Sequence, residues 1–379
     1  MINFIHLIFF QLKKNHFVII SIFLLFTLGF TEEPSKTPFK NKLNTKKTVI
    51  KGKVHNWPTD TVYFATFTFH SPYSTSEGFQ VLTSDKTFEY TFDQVDKPFI
   101  IFLTPERKFL DLRNDVLFEN LTDKYYRGYC QKFYDYPITT YLIEPGTETK
   151  VELTKTKRYG KTQIKFLNDN TYNSEYYQTT FELDAGLEEV LDSKFDSTLK
   201  DLRNIDNAIK NLNNKLNELS TKLDKEQKYI SPFLYKYTKS EIEFGAKKEF
   251  LRYLLLDHKE EISEIFRDEI PEKINNVIEF NKGKVDYATM IGQEYNEFLE
   301  LYLTFKFSKL KNKLISYKDF DKEKFDFALK ELPKASKYYY LANNLLHINY
   351  NEKTKELVTR LIGLYPDGKL NDRLLEKYN

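Results

Sequence analysis

Residues 191–223, LDSKFDSTLKDLRNIDNAIKNLNNKLNELSTKL, mark a change in the period of the chain. Leu191, Phe195, Thr198, Leu202, Ile205, Ile209, Leu212, Leu216, Leu219 and Leu223 recur at alternating spacings of three and four, with Lys, Asp, Asn and Glu between them. That is a heptad seam, and it predicts one long helix. Its apolar stripe has two uses: pairing with a second copy as a coiled coil, or packing against later helices of the same chain. The second use, with a monomeric protein, is the expectation.

Toward the C-terminus the helical period continues. Ser231-Pro232 reads as a helix start, Ser as N-cap and Pro at the first helical position. Helices are predicted over Ser231–Asp257, Pro271–Asn281, Asp286–Leu314, Lys322–Leu332, Ala335–Leu346 and Glu352–Leu364, with a last short one over Leu370–Tyr378. Tyr365-Pro366-Asp367-Gly368 reads as a turn in which Pro presets φ and Gly takes positive φ.

Toward the N-terminus the period is two. Thr48–Val54, Thr61–Phe69, Phe79–Thr83, Thr87–Phe92, Phe99–Thr104, Thr139–Ile143, Thr149–Leu153 and Gln163–Leu167 are short runs rich in Val, Ile, Phe, Tyr and Thr. Turn residues such as Asn56-Trp57-Pro58, Ser84-Asp85-Lys86 and Pro145-Gly146 separate many of them, which predicts an antiparallel sandwich. The fold class expected is therefore α+β: an antiparallel β-sandwich-like domain over residues 48–167, then an all-α domain over 168–379 containing one long helix.

Before residue 48 lie two further segments. Residues 31–47 are rich in Lys, Thr and Pro and read as a flexible linker. Residues 1–30 carry the apolar run Phe17–Phe30 behind Lys13 and Lys14. The run is shorter than the roughly 20 residues of a spanning helix and fits a signal-peptide core after a positive n-region. No Ala-x-Ala cleavage pattern follows it, so the segment reads either as a signal peptide or as an uncleaved inner-membrane anchor. Both place the protein outside the cytoplasm, in the periplasm or cell envelope.

Composition and motifs limit the chemistry. The 57 Lys and Arg nearly balance 55 Asp and Glu, so no long-range field favours nucleic acid as a partner. Cys130 is the only cysteine, which rules out an intramolecular disulfide and a Cys-x-x-Cys pair. Gly160-Lys161-Thr162 resembles the end of a phosphate loop, but Lys155 stands where the loop needs its first glycine. Asn168–Asn173 lacks the glycine and the glutamate of a calcium loop. His55, His70, His258 and His347 show no metal-ligand spacing. No catalytic, cofactor-binding or metal-ligating residue is assigned, and no cofactor is expected. The candidate binding residues are the β-domain aromatics Trp57, Tyr63, Tyr73 and Tyr90, whose rings could stack on a glycan or peptide.

Several short motifs carry a resemblance. They are Val49-Ile50-Lys51-Gly52-Lys53-Val54, Ile143-Glu144-Pro145-Gly146-Thr147-Glu148, Ser231-Pro232-Phe233 and Leu361-Ile362-Gly363-Leu364-Tyr365-Pro366. In this order, behind an export segment, they resemble the accessory region of TlpA-like thiol–disulfide oxidoreductases of Bacteroidota, a small DUF4369-like β domain followed by helices. In that family a thioredoxin domain with a Trp-Cys-x-x-Cys site follows. Here Trp57 and Cys130 are the only Trp and Cys, so none of the family's active-site residues carries over. The resemblance implies the accessory part without its thioredoxin domain. Taken together, these readings lead one to expect a non-enzymatic binding or scaffold module whose partner is another envelope protein. A glycan- or peptide-binding protein using the aromatics is the alternative.

If the thiol has no redox role, insulin reduction by the purified protein should equal buffer, and Cys130→Ser should leave the denaturation midpoint where it was. Turnover that vanishes in Cys130→Ser would refute this.

Overall fold

The computed structural model describes residues 47–67, 76–92, 96–104, 139–155, 162–167, 172, 176–177, 205–252, 254–255, 270–313, 315, 320–348 and 351–378. The export segment, nearly all of the linker, Tyr73, Cys130 and the first part of the seam, Leu191–Leu202, lie outside the described residues. Eight strands come first: β1 Thr48–His55, β2 Thr61–Phe67, β3 Ser76–Val81, β4 Thr87–Phe92, β5 Phe99–Thr104, β6 Thr139–Ile143, β7 Glu148–Lys155 and β8 Thr162–Phe166. The helices are α1 Ile205–Glu226, α2 Pro232–Arg252, α3 Ile270–Ile278, α4 Tyr287–Met290, α5 Gln293–Lys311, α6 Lys322–Glu331, α7 Lys334–His347, α8 Glu352–Leu364 and α9 Asn371–Tyr378. The fold is α+β, with the strands before the described helices, as the change of period implied.

The strands form two four-stranded sheets, β4-β1-β7-β8 and β3-β2-β5-β6. Alternation does what the sequence predicted. Ile50, Val54, Val151 and Leu153 point inward, while Lys51 and Glu148 form an ion pair at 2.8 Å on the outer face of the first sheet. Aromatic rings join the two inner faces: Phe64 lies 6.0 Å from Phe88, Phe64 stacks on Tyr90 at 4.8 Å, and Phe92 meets Phe99 edge-on at 5.0 Å.

One pairing departs from the antiparallel expectation. β1 and β7 run parallel, Val49 opposite Glu148 through His55 opposite Thr154. A parallel pair needs a long crossover rather than a hairpin, and here most of the other strands intervene in sequence. Turn residues report only neighbours in sequence, so no local signal announces such a pair. The third strand also begins earlier than predicted, at Ser76 rather than Phe79. It ends earlier too, because Thr83 is already tied into the next turn, its N–H donating to Thr87 O at 2.9 Å.

Gly52 is required by this sheet. A Cβ there would collide with the Val151 carbonyl oxygen of the parallel neighbour and meet the Phe88 ring at 3.1 Å. The Tyr365–Gly368 turn forms, with Gly368 N–H donating to Tyr365 O at 3.0 Å, but Gly368 does not take positive φ. Its glycine is needed because the Tyr338 ring occupies the place of a side chain.

In the helical region α2 is the centre. Its residues Phe244–Leu251 are buried on every side, including Lys247, Lys248 and Glu249. α1 lies against it with Ile205, Ala208, Leu212, Leu219 and Leu223 buried and Ile209 and Leu216 at the margin. The stripe thus has intrachain cover over the described part of the seam, and it follows the 3.6-residue turn of a straight helix more closely than a strict heptad.

The predicted helix Asp286–Leu314 is two helices. Asp286 caps the short α4, its Oδ1 accepting from Thr289 N–H at 3.1 Å, and α5 starts afresh after Gly292, whose ψ is 136°. A side chain at Gly292 would strike the Glu241 carboxylate of α2. α5 then stops at Asn312, which takes φ 50°. The described residues belong to one compact unit, and a single apolar core runs through sandwich and helices.

Two stability predictions follow from this packing. Gly52→Ala should cost about 1–3 kcal/mol through overpacking, whereas Gly363→Ala, where a Cβ meets nothing within 4 Å, should be neutral or stabilise by up to about 1 kcal/mol. Urea midpoints of the two variants check this. Leu212→Ala, at a side chain 1% exposed, should cost about 2–5 kcal/mol. That loss should be the same at protein concentrations about a hundredfold apart; a midpoint that climbs with concentration would make the stripe an interface between copies.

Candidate functional site

The three candidate aromatics among the described residues, Trp57, Tyr63 and Tyr90, do not make one platform. Trp57 is 9% exposed, and its indole N–H donates to Thr61 O at 2.9 Å, closing the turn between β1 and β2. Tyr90 faces the second sheet, between Phe64 and Phe92. Its hydroxyl reaches the place opposite Phe64 where Gly78 has no side chain; a Cβ at Gly78 would lie 2.7 Å from that oxygen. Tyr63 is half-buried on the outer face of β2, and its ring lies 6.3 Å from that of Phe79, which is 63% exposed. Tyr73 lies outside the described residues. Aromatic content could not distinguish these places, because a ring in a sheet is read the same way on either face until the second sheet is in position.

A second group of residues joins the two halves. Ser231 is the cap of α2, its Oγ accepting from Leu234 N–H at 3.0 Å, and the same hydroxyl donates to Glu144 Oε1. Glu144 opens the Pro145-Gly146 turn, in which Gly146 takes φ 69° and its N–H donates to Thr48 Oγ1 at 2.9 Å. Tyr287 of α4 donates to the Pro98 carbonyl at 2.7 Å, with the Lys97 ammonium 5.2 Å from its ring centre. Burial, then the charge of Asp96, holds the Tyr287 phenol well above its usual range, so it remains a donor. At this end of the second sheet Ile100 and Leu142, which point away from the inner face, are also buried. Two motifs read separately in sequence, Glu144-Pro145-Gly146 and Ser231-Pro232, thus meet in one hydrogen bond.

Among the described residues the densest ionisable group lies between α2 and α5. Lys248 Nζ is 2.7 Å from Glu294 Oε2, 3.2 Å from Glu249 Oε1 and 3.4 Å from Glu297 Oε2. Arg252 places Nε at 2.7 Å and Nη2 at 2.6 Å from Glu249 Oε2. Two to three turns earlier on α2, Tyr237 donates to Glu241 Oε2 at 3.2 Å. Burial first, then the Glu241 charge, raises the Tyr237 phenol well above its normal value.

These charges come from α2 and from the first turns of α5, and Lys248, Glu249 and Glu294 are buried. A substrate could reach Lys248, Glu249 or Glu294 only by displacing packed side chains. The chemistry available to the group is therefore mutual: each buried ion is held by an opposite one at hydrogen-bonding distance, which offsets its desolvation. Among the described residues no group of three or more His, Cys, Asp and Glu side chains is arranged to hold a metal ion, and no helix is long and apolar enough to cross a membrane.

Sequence reasoning missed this network. The available signal was Lys247-Lys248-Glu249 set among Phe244, Ala246, Phe250 and Leu251, so that over this stretch of α2 no face remains for charges to reach water. No protein-family model matches the chain, and no curated protein matches it.

Removing the central cation should expose the constraint. Lys248→Met is expected to cost about 3–5 kcal/mol, because it leaves buried carboxylates without their shared partner. Lys248→Met with Glu294→Gln should cost less than the sum of the two single changes, since the pair shares one network. Urea unfolding of the three variants measures this; a neutral Lys248→Met would show that the network contributes nothing.

Proposed function

We propose that the chain is an exported, non-enzymatic binding or scaffold module of a bacterial cell envelope, whose partner is another envelope protein. The observation that carries this reading is the use made of two sets of polar groups. Lys248, Glu249, Glu294 and Arg252 hold α2 to α5, and Glu144, Ser231, Tyr287 and Pro98 hold the sandwich to the helices. Both sets are spent on rigidity between elements. A rigid two-part body is what a scaffold requires, since a partner then meets surfaces ordered before it arrives.

Export is supported by Lys13, Lys14 and the apolar run Phe17–Phe30. Kinship with the accessory region of TlpA-like proteins is part of the same proposal. The contact between Glu144 and Ser231 gives two of its motifs a common structural reason.

A fusion of residues 1–39 to alkaline phosphatase should be active, because that reporter matures only in an oxidising compartment. An inactive fusion retained in the cytoplasm would overturn the export reading. Turnover of peptide or glycan by the purified fragment starting at Lys36 would overturn the non-enzymatic one.

A further inference from the structure

We draw no further inference here: the strongest candidate, the exposed apolar patch of Phe79 and Val81 on the edge strand β3 with Tyr63 beside them, carries none because nothing in the structure shows what covers it.

Discussion

From Phe244 to Leu251, helix α2 must satisfy its charges without water. It has α1, α3, α4 and α5 packed around it, and from Phe244 to Leu251 no residue reaches solvent freely. A helix in that position is normally apolar all round. This one carries Lys247, Lys248 and Glu249 at its most enclosed point, so the neighbouring helix has to supply counter-charges at fixed places. Glu294 and Glu297 on α5 do so, and Arg252 completes the arrangement on α2 itself. Sliding one helix against the other by a turn would separate Lys248 from Glu294. The ion pairs are satisfied in the observed register of α2 against α5.

That register reaches the aromatic core. Phe244 of α2 meets Tyr295 at 4.8 Å and Phe298 at 5.2 Å, and Phe280 lies 5.5 Å from Tyr302. These rings lie on the same two helices as the ion pairs, together with the segment that follows α3. Gly292 permits the approach, because any side chain there would strike Glu241. The break between α4 and α5 falls at the same residue, since Gly292 is extended at ψ 136° and stands as the N-cap of α5. At the other end of α2, Ser231 begins the helix and joins it to Glu144 of the sandwich. One helix is accordingly tied to α5 by charge, to the β half by a hydroxyl, and to α1 by an apolar stripe. A chain held in this way can present a defined surface to a partner, which is the link between its packing and the scaffold role proposed for it.

The sandwich shows the same economy with glycines. Gly52 lets β1 and β7 lie side by side under Phe88, and Gly78 leaves room for the Tyr90 hydroxyl. Tyr90 thereby fills space between the sheets instead of offering its face to a ligand. Trp57, read as a stacking platform, closes a turn. The residue types were right for binding surfaces and equally right for interior work. Only the position of the opposing sheet separates the two uses.

Local signals in the sequence determined the order of elements, the cap at Ser231, and the existence of most strands and helices. The physical reason is that side-chain period, capping and turn chemistry act within a few residues, so the letters carry them directly. The capping box of α8, in which Asn351 Oδ1 accepts from Thr354 N–H at 2.9 Å and Asn351 N–H donates to Thr354 Oγ1, is wholly of that kind. Tertiary structure alone decided the parallel pairing of β1 with β7, the split between α4 and α5, the inward turn of Tyr90, and the partners of Lys248. Each depends on a residue tens of positions away arriving in contact: Val151 beside Gly52, Glu241 beside Gly292, Phe64 beside Tyr90, Glu294 beside Lys248. No local periodicity encodes such meetings, because they exist only once the rest of the chain has been packed.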